Sequence, residues 1–471
     1  MDTIDIIKEI ETTYDVESIE VNGIQIWPFL RSIYFGFIDK TNLNVEYYKK
    51  ITKNEKLFRF KNVFYGLGAI SRKYDYVIFS DTMERRLCNG KYINKIFETL
   101  IEELGHDNIL LIENAAYGTH YPKSVISTKN IISLELFRFF WYLNPLKLNL
   151  IKIKNKNILD QINEKYSINI EYNKLIIKFI FFKKLFGIFF SIYKPKIMLI
   201  SSYYDIIYQA AIYSANKKGV KTIEFQHGII NEEHYAYNIF GDFNRMFFPK
   251  YLFVFGKSTK KVFGKNNKFI DKNNVFPVGY MYLDYIDYSY RPNEDIITLF
   301  ENFKEKYTKI VSISSQIGLE DDIINFLKKA SEYDKRILYI FIPRNQNKDY
   351  SCYAFPSNII TLNKLNVYET IKYSDFHVTV NSSCAIEAPA LGVPNILINI
   401  KNESKRYYSK ILTNPEVTRF VDTPEEFVNL IQNWAPKSKE EIKQLHEGFY
   451  TKNHKESLKK ALDKILNDTK L

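Results

Sequence analysis

Cysteine is scarce in this chain of 471 residues: there are three, Cys88, Cys352 and Cys384. They are far apart and no two form a C-x-x-C pair, which argues against a zinc ribbon or a disulfide framework and fits a reducing, cytoplasmic setting. No apolar segment opens the sequence. Met1, Asp2, Thr3, Ile4 and Asp5 make an acidic start, so no signal peptide is expected. An uninterrupted apolar run of membrane length is also missing. The nearest approach, Leu175 to Ile192, is broken by Lys178, Lys183 and Lys184, each costly at bilayer depth. That run reads either as a buried helix or as a surface helix resting on an anionic inner leaflet. Internal repeats of short period and a low-complexity tail are absent too, as is a D-x-D run. The acidic cluster Glu320-Asp321-Asp322 lacks the D-x-D spacing.

What is present is ordinary for a globular protein. Hydrophobic residues make up 46% and charged residues 25%, which excludes wholesale disorder. The length exceeds one ordinary core, so two domains are expected. The formal charge is +12. Such an excess favours anionic partners (nucleic acid, anionic lipid or phosphorylated substrates), against the plainer reading of a solvated Lys-rich surface. The basic residues are scattered and match no nucleic-acid module, so no nucleic-acid partner is expected.

Short apolar runs alternate with helical segments, the pattern of parallel βαβ units. In the first half the runs are Tyr76 to Phe79, Asn108 to Ile112, Lys196 to Ile200, Thr222 to Phe225 and Tyr251 to Phe255. In the second they are Ile310 to Ile313, Ile337 to Phe341, His377 to Val380 and Ile396 to Ile398. Most end in a polar turn, and sites of open α/β sheets gather at such carboxyl ends. A break at 284–292 separates the two series. After it, Asn293 is placed to cap a helix whose face is Ile296, Phe300, Phe303 and Tyr307. Thr423-Pro424-Glu425-Glu426 and Ser438-Lys439-Glu440-Glu441 match capping boxes.

Four segments carry chemistry. In Glu224-Phe225-Gln226-His227-Gly228 the imidazole stands at a strand end, where it can accept a proton near neutral pH, and the glycine permits a tight turn or close approach. The plain alternative is a histidine satisfied by backbone groups. Glu232, Glu233 and His234 follow in one loop, as solvated residues or as further acid–base groups; the spacing matches no metal-ligand pattern. In Thr379 to Ala388 a strand feeds Asn381-Ser382-Ser383 and then a helix, whose free N–H groups and hydroxyls suit a phosphate. Glu387 is placed to meet ribose hydroxyls, or is simply a near-miss capping box. Ser314-Ser315-Gln316-Ile317-Gly318 is a second small polar turn. Arg344, after Phe341-Ile342-Pro343 and before Asn345, is a cation at a strand end, fit for phosphate or merely exposed.

Together the segments between about 196 and 400 resemble GT-B enzymes of bacterial envelope synthesis. In pattern they are similar to the capsule and lipopolysaccharide transferases that use Kdo or sialic acid, and to the teichoic-acid glycerophosphotransferases. The resemblance rests on His227-Gly228, Ser382-Ser383 and the tract Val378 to Ile398. It implies an α/β protein of two Rossmann-like domains facing across a cleft. Residues 1–287, with extra N-terminal helices, would take the acceptor. Residues 288–471 would take the donor, with the last helix packing back on the first domain. It implies a glycosyltransferase acting from a nucleotide-activated sugar donor to a glycan or lipid-linked glycan acceptor of capsule, O-antigen or lipooligosaccharide. The setting would be cytoplasmic, with peripheral contact at the inner membrane surface. No cofactor and no required metal are implied, since helix termini and basic side chains manage the leaving group in such enzymes. Carried over, His227 with Glu232 and His234 forms the catalytic set. Ser314, Ser315, Arg344, Asn381, Ser382, Ser383 and Glu387 form the donor set. One departure is clear: many relatives have a His-Pro pair where this chain has Ile342-Pro343. That counts against a CMP or CDP donor, leaves UDP, GDP and dTDP open, and makes Arg344 the replacement cation. The alternatives are a polyol-phosphate transferase, a nucleotide-sugar epimerase of the same shape, and a non-catalytic assembly protein. Gly23 to Pro28 and Asp81 to Lys91 share the family look without an assigned role.

Overall fold

Apolar runs that end in Ser, Asp, Asn or Gln become parallel strands in the computed structural model. The structure describes residues 3–43, 59–88, 90–116, 118–144, 151–264, 267–292, 294–316, 318–344, 348–362 and 365–468. Asn293, Ile317 and Asn345, read above as a helix cap and turn residues, lie outside them. The chain forms two compact units. The first comprises residues 1–255, 259–279 and 455–471, and the second residues 256–258 and 280–454.

The first unit opens with helices Thr3–Thr13 and Trp27–Leu43, joined through the hairpin β1 (Glu20–Val21) and β2 (Ile24–Gln25). The hairpin turns on Asn22 and Gly23, both at positive φ (52° and 72°), the geometry an Asn-Gly pair favours. Then come β3 (Tyr76–Asp81), the hairpin β4 (Arg85–Cys88) with β5 (Lys91–Asn94), β6 (Ile109–Asn114), β7 (Ile131–Ser133), β8 (Ile197–Ile200), β9 (Lys221–Phe225), β10 (Tyr251–Val254) and β11 (Val275–Pro277). Seven of these make a parallel sheet in the order β11-β10-β9-β8-β3-β6-β7. Its strands alternate between two cores, as period-two side chains must. Val77, Phe79, Leu110, Ile112, Met198 and Ile200 face the N-terminal helices and helices Tyr172–Tyr193 and Ile206–Lys217. Ile78, Leu111, Leu199 and Ile223 face the other way, onto Leu100, Ile101 and three residues of the last helix, His454–Asn467: Leu458, Leu462 and Ile465.

Helix Tyr172–Tyr193 contains the run of Leu175 to Ile192. Ile176, Phe179, Phe182, Phe186, Phe189 and Phe190 bury its inner side. Among the described residues no helix is long and apolar enough to cross a membrane.

The second unit carries β12 (Lys309–Ser314), β13 (Ile337–Ile342), β14 (Ile359–Thr361), β15 (Phe376–Thr379), β16 (Asn395–Ile398) and β17 (Thr418–Val421). All pair in parallel, in the order β14-β13-β12-β15-β16-β17. Helix Glu294–Lys306 lays Ile296, Phe300 and Phe303, with Tyr307 just past its end, against Ile310, Leu338 and Ile340. Both capping boxes form: Thr423 and Ser438 each bond the backbone three residues on, and Glu426 and Glu441 return the bond. Gly392, at φ +79°, ends the helix before β16 and leaves no room for a side chain, since a Cβ there would lie 2.8 Å from the Lys439 carbonyl oxygen.

Candidate active site

Numbered within their own sheets, both units follow the order 3-2-1-4-5-6, with one strand more in the first. In that arrangement the chain leaves two neighbouring central strands toward opposite sides, opening a crevice at their carboxyl ends where ligands bind. The switch falls between β12 and β15 in the second unit and between β3 and β8 in the first.

At the second unit's switch, Thr379 ends β15 and donates its hydroxyl to the Ser314 carbonyl at the end of β12, 3.1 Å away. Ser314 turns its side chain into the sheet, with Oγ 2.9 Å from Nε2 of His377. Asn395 Oδ1 holds Nδ1 of that ring at 2.8 Å, and burial pushes the imidazole down to about 4. Ser315 donates its hydroxyl to Glu320 at 3.1 Å. Across the crevice, Ser382 and Ser383 lead into the short helix Cys384–Ala390. Ser382 Oγ accepts from the Cys384 N–H at 3.3 Å. Ser383 donates to Glu387 at 3.2 Å rather than capping the helix, as a spacing one residue too long for a capping box dictates. Ser314, Ser382 and Glu387 surround the Cys384 thiol, which burial pushes up to about 11. Glu387 Oε2 and Asn381 Oδ1 are buried without a hydrogen-bond partner, although Asn381 donates its amide to Glu403 at 2.9 Å. Buried polar atoms left unpaired in a crevice mark a place where something else can bond. Arg344 stands exposed past the end of β13.

The first unit's edge is built from ionisable groups. Asp81 ends β3, accepts from the Met83 N–H at 2.8 Å and from Asn114 at 2.6 Å, and is raised by burial. Glu84 accepts from Ser80 at 2.7 Å, and burial lifts it to about 7. Glu224, inside β9, accepts from Tyr237 Oη at 2.9 Å. Its other oxygen is buried and unpaired, and desolvation lifts the carboxyl to about 8. His227 follows β9, half-buried, with Nε2 3.0 Å from Tyr204 Oη. Burial, and secondarily Lys95, lower its ring to about 4, while the Ser201 backbone pulls the other way. The ring is therefore neutral at pH 7, with a nitrogen lone pair to accept a proton.

His234 shares Tyr204 with His227: the Tyr204 ring centroid is 5.8 Å from His234 and 6.0 Å from His227. Nδ1 of His234 accepts from the Ala236 N–H at 3.3 Å, so that nitrogen holds its own turn. Burial, then His227, lower the ring to about 3. Glu232 is exposed on the same loop. Gly228 differs from the expectation of a forced turn. Its φ is not positive and a Cβ would meet nothing within 4 Å, so it leaves open space beside His227.

The segment Gly23 to Pro28 acquires a role. Glu11 accepts from Trp27 Nε1 at 2.9 Å and Arg31 Nε at 2.7 Å, and its second oxygen takes the Phe240 N–H at 3.0 Å. Arg31 then donates to the carbonyls of Tyr235, at 2.7 Å, and Asn238, at 3.0 Å. The N-terminal helices thus fasten the loop that carries His234. Sequence reading also missed a buried chain at the ends of β6 and β7. Arg85 pairs with Glu113 at 2.6 Å, Glu113 with His120 at 2.9 Å, and His120 Nε2 lies 2.8 Å from Ser133 Oγ. The signal available was a charged residue inside an apolar strand, as at Glu113 and Glu224. Among the described residues no group of three or more His, Cys, Asp or Glu is placed to hold a metal ion.

No family model matches the sequence, and no curated protein does. Solved structures do resemble the fold. The MnaA–UDP complex of S. aureus shares 12% identity with a TM-score of 0.50, covering 84% of this chain and 97% of that one. CalG4, the calicheamicin glycosyltransferase, shares 10% at 0.49, covering 84% and 99%. The wall teichoic acid polymerase TagF shares 11% at 0.47, covering 94% and 98%. The fold is GT-B: two Rossmann-like α/β domains.

Proposed function

We propose that the protein is a glycosyltransferase that moves a sugar from a nucleotide-activated donor to a surface-glycan acceptor, free or lipid-linked, at the cytoplasmic side of the membrane. The observation that carries this reading is the gathering of Ser315, Asn381, Ser382, Ser383 and Glu387 at the second unit's switch point, where Ser314 takes part through its backbone while its hydroxyl bonds His377. Hydroxyls and backbone N–H groups there suit a diphosphate, and the unpaired Glu387 oxygen suits a ribose hydroxyl. Arg344, exposed past the end of β13, serves as the cation for the leaving group. His227, neutral and beside open space, is the general base toward the acceptor hydroxyl. His234 is a supporting group, and Glu232 a solvated neighbour. No metal is assigned a role.

A thermal-shift series against nucleotides and nucleotide sugars tests the donor site, because a ligand of the native state raises the melting temperature by mass action. One nucleotide class should stabilise the wild type, and Ser382→Ala with Ser383→Ala should weaken that binding by about tenfold or more. Equal affinity in the double variant removes the assignment. A second reading, nucleotide-sugar epimerisation, is favoured by the raised carboxyls of Glu84 and Glu224, which are suited to proton abstraction from carbon. Donor turnover without any acceptor would select it. Phosphate retained in the product would select a polyol-phosphate transferase.

A further inference from the structure

Three segments of the first unit carry an unusual charge pattern. Residues 59–74, 136–144 and 172–194 hold ten Lys and Arg and no Asp or Glu, against a net charge of +12 for the whole chain. The same segments hold nine of the sixteen large hydrophobic side chains exposed among the described residues. Phe60, Phe64, Leu67 and Ile70 recur at helix-like spacing in the first. Phe140, Tyr142 and Leu143 end the second. Ile188 and Ile192, 60% and 62% exposed, sit one turn apart on the third.

The three segments adjoin. Phe60 lies 6.0 Å from Phe139, Phe137 lies 5.6 Å from Phe189, and Tyr193 donates its hydroxyl to the Ile70 carbonyl at 2.6 Å. On helix Tyr172–Tyr193, Lys184 is exposed one turn before Ile188, and Lys194 is exposed just after Ile192. Arg72 and Lys73 are exposed beyond Ile70. Lys183, by contrast, lies over the Tyr213 ring at 5.6 Å, and burial lowers it. The helix that buries six side chains in the core therefore turns a mixed apolar and basic stripe outward.

We infer that this patch is the seat on which the protein rests on an anionic phospholipid surface, with Phe64, Leu143, Ile188 and Ile192 entering the acyl boundary and Lys184, Lys194, Arg72 and Lys73 meeting headgroup phosphates. Apolar insertion and basic attraction are the two contributions that interfacial binding needs, and both occur here on adjoining elements. A second copy fits poorly, because a twofold contact would set the exposed Arg72, Lys73, Lys184 and Lys194 against their own counterparts, while Arg138 and Lys174 are already paired with Glu135 and Glu171. Nucleic acid fits poorly, because a phosphate backbone gives the nine exposed apolar side chains nothing to bury against. The inference deepens the lipid-linked acceptor reading given above and rests on it only for its purpose.

Flotation of the purified full chain with vesicles tests it, without donor or acceptor, so the result is independent of the transfer chemistry. The wild type should float with vesicles of phosphatidylcholine and phosphatidylglycerol, poorly with phosphatidylcholine alone, and less at high salt. Phe64→Asp, Leu143→Asp and Ile192→Asp combined should lower the bound fraction by about tenfold or more at an unchanged melting temperature. Should that variant misfold, Arg72→Gln, Lys73→Gln and Lys194→Gln, all at exposed positions, should abolish the preference for anionic vesicles. A wild type that stays with the unbound protein, or variants that float as it does, overturns the proposal. So does a dimer that the Asp variant splits while no vesicle binding is seen. Turnover on a soluble acceptor should be the same in the wild type and the Asp variant; no transfer by either protein, with the wild type still floating and the Asp variant not, would remove the function and leave the membrane seat.

Discussion

At the carboxyl edge of the first sheet stand Asp81, Glu84, Glu113, Glu224 and His227; at the same edge of the second stand Ser314, Ser315, Thr379, Ser382 and Ser383. The scaffold is the same, a parallel sheet with the order 3-2-1-4-5-6, so the difference belongs to the side chains. The first edge gathers groups that burial drives toward their neutral forms: His227 down to about 4, Glu84 up to about 7 and Glu224 up to about 8. The two carboxyls therefore exchange protons near neutral pH, while the imidazole stays neutral there. The second edge gathers hydroxyls, which bond an anion without moving a proton. Under the proposed function, one fold would thus offer a proton-handling edge and an anion-holding edge.

The largest expected effect breaks the first edge at its base. His227→Ala should lower turnover by about a hundred- to ten-thousand-fold while donor affinity survives. The wild-type pH profile sharpens the same point. A base must be neutral, and the ring is held at about 4, so kcat/KM should stay level from pH 7 down to about 5 and fall only below that. If Glu224 were the base, kcat/KM would instead rise through about pH 8 as its carboxyl ionises. His234→Ala, whose ring holds its own turn, should cost far less turnover; abolition there with His227→Ala active would exchange the two roles.

Next in size is the buried pair behind that edge. Glu113→Ala leaves the Arg85 guanidinium without its carboxylate, and should lower the free energy of unfolding by about 3–5 kcal/mol. The counterpart in the second unit is Ser314→Ala, which leaves a buried His377 nitrogen unpaired and should cost about 1–3 kcal/mol. Denaturant midpoints of the two variants measure the contrast. Equal losses would mean that the two edges are stabilised alike and that the difference in chemistry has no energetic counterpart.

The nine apolar runs read from the sequence are all present, and they are the nine interior strands of the two sheets. The four strands not read, β7, β11, β14 and β17, are the four edges. An interior strand is covered on both faces and paired on both sides, so it stays apolar along its length. Edge strands here are three or four residues long, and β11, β14 and β17 are only partly buried, too little pattern to rise above loop sequence. The site divides in the same way. Ser382-Ser383 and His227 stand within a few residues of a strand end, so their place at the sheet edges was legible. Arg85, Glu113 and His120 meet across separations of 28 and 7 residues, and only the fold joins them. Tyr204 reached His227 from the neighbouring strand's turn, which a local reading has no means to pair.

The helix His454–Asn467 has a consequence for how the chain comes into being. From residue 455 on it belongs to the first unit, and it fills that unit's core with Leu458, Leu462 and Ile465. Residues 280–454 of the second unit are made between the rest of the first unit and this last piece. At synthesis rates of about 5–20 residues per second, that interval lasts roughly ten to thirty-five seconds. Through it the nascent first sheet shows an apolar groove along Ile78, Leu199 and Ile223, while the later-born unit already has every residue it needs. The unit that starts first therefore finishes last.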